Sequence, residues 1–153
     1  MAEWTGVAVQ TVNPGEAIVF TENPEPCMRG LIRHRDDSGS FLISGAVNNN
    51  QAGCQCNCPC RRNQTVNYIV DFGANIAIPT GETVGPISVA YQVDGSTLQG
   101  TTMIVTPAAV EEYFNVSRAT NVGIFQNCCQ SFAIINTSTI PILVQNANVL
   151  ISR

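Results

Sequence analysis

The chain has 153 residues, 44% of them hydrophobic and only 12% charged, with a formal net charge of −4 at pH 7. All seven basic residues are arginine and lysine is absent, so nucleic acid, which needs a basic footprint, is excluded as a partner. No run approaches the roughly eighteen apolar residues of a membrane-spanning helix, and MAEWTGVAVQ lacks the basic and apolar regions of a secretory signal. The length is one domain's worth, and a surface this poor in charge is expected to be covered by other copies of the chain or a larger assembly.

In chain order, Val7 and Val9 alternate with polar or small residues, and Asn13-Pro14-Gly15 reads as a turn. Ala17–Thr21 is a second short predicted strand, and the proline-bearing ENPEPCMRG reads as a loop. Leu31–His34 and Phe41–Ser44 flank Asp36-Asp37-Ser38-Gly39, the pattern of a hairpin. A long loop is predicted from Gly45 to Asn63; it carries three asparagines in a row, GCQCNCPC and Arg61-Arg62.

The strongest strand signals lie between Gln64 and Val93. Val66, Tyr68, Val70 and Phe72 fall on every second residue, as do Ile87, Val89, Tyr91 and Val93. Period-two alternation buries one face of each segment, so they are expected to form a pair of antiparallel strands across the IPTGETVGP turn. Asp94-Gly95 predicts a tight hairpin into Thr101–Thr106. Thr106-Pro107-Ala108-Ala109-Val110-Glu111-Glu112 is the sole helix candidate, with Thr as N-cap and Pro at the first position. Tyr113–Val116, Val122–Phe125, Ser131–Asn136 and Ile142–Ser152 complete the strands, with a turn at Asn136-Thr137-Ser138. About ten short strands with close turn signals describe an all-β antiparallel sandwich of jelly-roll type, a single domain over residues 1–153 with a cysteine-rich loop at 45–63.

The blocks NIAIPTG, GPISVA and TPAAV, followed by NCCQSFAIINTSTIPILVQNANVLISR, resemble a family of bacterial and phage-encoded surface domains. Members stand at the C-termini of collagen-like surface chains of Firmicutes or as small free-standing phage and prophage proteins. The resemblance covers roughly residues 65–153. It implies a jelly roll similar to complement and tumour-necrosis-factor domains, assembly as a homotrimer, and no enzymatic activity or cofactor. Because this chain has no Gly-X-Y stalk, the resemblance favours the free-standing version: a capsid decoration or head-fibre protein on a virion surface. Such a protein is made in the bacterial cytoplasm, released by lysis, and bound to a major capsid protein or other virion component. A receptor- or carbohydrate-binding module on a phage, cell or spore surface, with a host glycan as partner, is the alternative.

The chemistry-bearing residues begin with seven cysteines: Cys27, Cys54, Cys56, Cys58, Cys60, Cys128 and Cys129. C-x-C-x-C-x-C is not the paired-knuckle spacing of a structural zinc site; in an extended segment it lines four sulfurs along one face. Disulfide cross-links, free thiols and a soft metal all stay open, and cross-linking is the reading carried forward, with no metal site assigned. His34, in RHR, could pair with a cysteine thiolate, but a surface strand residue is the simpler reading. Asp36-Asp37 and Glu111-Glu112 are adjacent acids, which on a strand point to opposite faces and so make no acid/base couple. The Asp36–Gly39 loop has no calcium-ligand spacing. No catalytic residue is identified.

Overall fold

The computed structural model describes residues 1–25, 30–35, 37–47 and 60–153. Its strands are β1 (Ala2–Gly6), β2 (Gln10–Val12), β3 (Glu22–Glu25), β4 (Ile32–His34), β5 (Phe41–Ser44) and β6 (Arg61–Ala77). They continue with β7 (Ile87–Val93), β8 (Ser96–Thr97), β9 (Met103–Val105), β10 (Phe114–Gln126), β11 (Cys129–Asn136) and β12 (Ile142–Ser152). The first sheet runs β10-β6-β12-β1-β3, with β2 also on β12. The second runs β4-β5-β11-β7-β8, with β9 also on β7. All pairings within them are antiparallel, and the two sheets enclose the core as a jelly-roll sandwich.

The alternating segments behave as their periodicity predicts, but they are not partners of each other. Tyr68, Val70 and Phe72 of β6 and Ile87, Val89 and Tyr91 of β7 are all buried. β6 lies between β10 and β12, however, while β7 lies between β11 and the β8 and β9 strands. The IPTGETVGP stretch is therefore a crossing from one sheet to the other, helped by Gly81 at φ +96°. Alternation specifies which face of a strand is apolar and is silent on its neighbour. Placed in opposite sheets, the two apolar faces meet edge to face, with the Phe72 and Tyr91 rings 6.5 Å apart.

Other expectations are corrected in the same spirit. Thr106–Glu112 forms a turn rather than a helix. Glu112 Oε2 accepts from the backbone N–H groups of Ala108 and Ala109, at 2.8 and 3.2 Å, closing the turn through a side chain. Glu111 sits at φ +57° and donates its N–H to Ile78 O, so the segment is anchored to the strand end before it could propagate. Tyr113–Val116 and Val122–Phe125 fuse into one strand, because the polar Ser117–Asn121 stretch between them keeps its ladder to β6. β6 itself starts at Arg61, inside the stretch expected to be loop. Glu22–Glu25, also expected to be loop, pairs with β1, with Pro24 tolerated in this edge strand. The first strand is Ala2–Gly6, and Val7 and Val9 beyond it are exposed.

Ala17–Thr21 makes only isolated bridges, Ala17 to Ile135 and Phe20 to Ser38. Ile18 N–H donates to Ile134 O and Thr21 N–H to Thr5 O, and Val19 between them is held by a side chain: the Gln10 amide donates to Val19 O and accepts from Val19 N–H, both at 2.8 Å. Ile18 and Phe20 are nonetheless fully buried.

The predicted turns are present. Glu16 N–H donates to Asn13 O, and Asp94-Gly95, both at positive φ, closes the β7–β8 hairpin. The β4–β5 hairpin pairs Ile32 with Ile43 and His34 with Phe41. At the last turn Asn136 is wholly buried, with Nδ2 donating to Val12 O and Ile140 O and Oδ1 accepting from Ser138 N–H. Every polar atom of that amide which could be stranded in the core has a partner.

Candidate functional site

Three regions carry chemistry outside the core. The first is the outward face of the first sheet. Residues alternating with the buried Val70, Phe72 and Ala74 of β6 line up in rungs across neighbouring strands. One rung is Ser117, Gly73, Asn148 and Thr5; the next is Ala119, Asp71, Leu150 and Glu3; a third is Asn121, Ile69 and Ser152. Side chains here are small or neutral for the most part. Ile69 is 50% exposed, and Asn148 Nδ2 donates to Glu3 Oε1. Asn115 Nδ2 donates to Asn75 Oδ1 at 3.2 Å, so the amides form a ladder rather than bristling outward. Low-charge, low-relief strand faces of this kind are suited to burial against a second protein surface.

The second region is the cysteine-bearing end. Cys60 and Cys128 form a disulfide with Cα atoms 5.0 Å apart, closing a separation of 68 residues. It joins the start of β6 to the turn between β10 and β11. Cys129 is also disulfide-bonded. Cys27, Cys54, Cys56 and Cys58 lie outside the described residues, so the C-x-C-x-C-x-C row is seen only at its final member. Around the disulfide the backbone is knitted tightly: Gly45 N–H donates to Cys128 O and Asn127 N–H to Gly45 O, at 2.7 and 2.8 Å. A Cβ at Gly45 would collide with the carbonyl of Phe125, which explains the glycine. Tyr68 donates to Ser44 O at 2.5 Å, and Arg153 lies over the Tyr68 ring while donating to Ala46 O. The final residue is thereby fastened to the same end.

The third region is an open depression of about 400 Å³ at the β4–β5 edge of the second sheet, lined by Arg33, His34, Arg35, Ser38, Ser40 and Leu42. Arg33 and Arg35 are both exposed on the edge strand side, and among the described residues neither is in an ion pair. Leu42, opposite Arg33 in the ladder, is 36% exposed. His34 turns the other way. Its ring packs on Phe41 at 4.5 Å and Trp4 at 5.9 Å, and its Nε2 is 2.8 Å from Ser38 O. The imidazole is thus a partly buried member of an aromatic cluster rather than a surface residue, and among the described residues its neighbours are rings and a carbonyl.

The remaining sequence candidates are structural. Asp37 is exposed at φ +56° in the hairpin turn, and Asp36 lies outside the described residues. Glu111 accepts from Thr80 Oγ1 and Glu112 caps its own turn. Among the described residues no group of three or more His, Cys, Asp or Glu side chains converges as a metal site would require. The depression was the region that sequence reading passed over. Its signal was present in RHR, where arginines at i and i+2 flank the histidine, and both line the depression although Arg35 lies just past the end of β4.

One buried phenol completes the electrostatics. Burial, reinforced by the negative charge of Asp71, pushes the Tyr91 hydroxyl well above its ordinary range, and it donates to Arg118 O at 2.6 Å. It is a neutral strut between the sheets.

No family model matches the sequence, and no curated protein does. Solved structures do match in fold. The globular domain of zebrafish complement 1qA protein superposes with a TM-score of 0.55 at 8% identity, over 97% of this chain and 94% of that one. Pika GITRL gives a TM-score of 0.41 at 11% identity, over 98% and 96%. A family 35 carbohydrate-binding module from an environmental isolate gives 0.40 at 11%, over 100% and 93%. The complement likeness establishes the jelly-roll fold expected from the strand pattern.

Proposed function

We propose that this chain is a non-enzymatic display protein that assembles as a homotrimer and coats a phage particle, as a capsid decoration or head-fibre component. The observation that carries the reading is the outward face of the first sheet, where the Ser117 and Asn121 rungs carry no charged side chain from β10 to β1 and Ile69 is exposed, with Asp71 and Glu3 the two charges of the Ala119 rung between them. Burying the uncharged rungs between copies costs little desolvation and removes apolar area from water. The complement-like fold and the sequence resemblance to trimeric surface domains support the same assembly, and the resemblance supports the virion setting. The disulfide at the far end fits a protein that meets an oxidising exterior after lysis.

Sedimentation equilibrium tests the assembly. A trimer is expected in mild buffer, and Ile69→Glu should shift it to monomer while leaving the far-UV spectrum unchanged. A wild-type chain that stays monomeric at all concentrations overturns the trimer. Co-sedimentation with purified capsids then tests the particle contact.

A further inference from the structure

The β4–β5 edge presents features that assembly through the first sheet does not use. Arg33 lies on β4 and Arg35 directly follows its last residue, His34; two residues apart in extended chain, their Cα atoms are about 7 Å apart, and both line the depression, so their guanidinium groups can converge on one ligand. Each offers a planar fork of donors matched to an oxyanion, and neither is occupied by a carboxylate among the described residues. The acidic neighbour in the described hairpin, Asp37, is not among the lining residues.

The rest of the depression is not a generic basic surface. Ser38 and Ser40 supply polar groups on one side: Ser40 N–H donates to Ser38 Oγ, which fixes that hydroxyl in place. Leu42 supplies a half-exposed apolar floor beside the arginines. Beneath, His34 is held by Ser38 O and the Phe41 ring, so the wall is rigid. Charge forks, fixed hydroxyl and carbonyl groups and a small apolar plate together suit a ring that carries both hydroxyls and an acid. The volume of about 400 Å³ suits one or two such rings.

We propose that this depression binds an acidic saccharide, its carboxylate or sulfate held between Arg33 and Arg35 and its ring set against Leu42. The site is complete in one protomer and lies in the second sheet, so it does not depend on trimer formation.

Calorimetric titration of the full chain tests this with galacturonic acid and galactose 6-sulfate against neutral galactose. The acidic sugars are expected to bind, neutral galactose to bind at least about tenfold more weakly, and high salt to weaken the acidic sugars. Arg33→Gln/Arg35→Gln should abolish the difference. Arg61→Gln/Arg62→Gln removes the same charge from exposed positions outside the depression and should leave binding intact. Circular dichroism confirms that both variants are folded. Failure of the acidic sugars to bind at millimolar concentration overturns the proposal, as does equal loss in both double variants. Inorganic sulfate or phosphatidylserine vesicles binding as tightly as the sugars overturns the saccharide assignment.

Discussion

The two sheets share one core yet are built to different plans. The first holds the three longest strands, with 17 residues in β6, 13 in β10 and 11 in β12, and its outward rungs at Gly73 and Ile69 are uncharged from β10 to β1, with Asp71 and Glu3 in the rung between. The second has short strands at its β4–β5 edge, of 3 and 4 residues, and there it exposes two arginines and Leu42 around a depression. Inside, the difference vanishes: Phe72 from the first sheet and Phe132 from the second both pack on Tyr91. Core packing therefore decides the fold while leaving each outer face free to take its own chemistry.

If the core is truly common, damage on either side must unfold both sheets. Phe72→Ala and Phe132→Ala remove fully buried rings from opposite sheets, and each is expected to cost about 4 kcal/mol. Urea unfolding should show one transition in both variants; a sheet that melts separately would break the shared-core picture. The next effect in size concerns the fastened end. Cys60→Ser frees a loop closed over 68 residues and is expected to cost about 3 kcal/mol, somewhat below the chain-entropy value. Adding reductant to the wild type should lower its urea midpoint, while the variant gains nothing from oxidising conditions through this link.

A smaller effect tests how the sheets are tied beyond packing. Asp94 accepts from Ser131 N–H and Oγ and from Gln130 Nε2, and Gln130 Oε1 accepts from Phe125 N–H, so one carboxylate links the β7–β8 turn through β11 to β10. Asp94→Asn keeps a residue that tolerates positive φ but loses the charged acceptor, for an expected loss of about 1.5 kcal/mol in chemical unfolding. The smallest is Tyr91→Phe, costing about 1 kcal/mol for the bond to Arg118 O. Its diagnostic is pH. The folded phenol titrates above its ordinary value of 10.0, so its contribution is fully present below that value and is lost as pH rises beyond it. The wild type should therefore lose more stability than the variant between neutral pH and alkaline pH.

Particular residues show what could be read in advance. Tyr68, Val70, Phe72, Val89 and Tyr91 were identifiable as inward-facing from alternation alone, and Asp94-Gly95 as a hairpin from its conformational preference. The Asn136 turn was legible too, although its buried amide bonds to Val12 and Ile140 were not, because they join positions 124 and 4 residues away. The cysteine pairing was equally hidden: spacing offered many partners for Cys60, and only the meeting of β6 with the β10–β11 turn selects Cys128. In the same way RHR announced two arginines at i and i+2 without announcing the depression, which needs Ser38, Ser40 and Leu42 brought alongside by the hairpin.

By itself the sequence determined the local quantities: strand faces, turn positions, the absence of lysine and a jelly-roll strand pattern. These follow from the two-residue period and from dihedral preferences, which act within a few residues. Tertiary structure decided which strands are neighbours. β6 and β7 went to opposite sheets because two apolar faces are better buried against each other than side by side, and Thr106–Glu112 gave up its helix because Glu111 is tied to Ile78. Those choices depend on contacts between distant residues, and it is they that assembled the flat face, the stapled end and the arginine-lined edge.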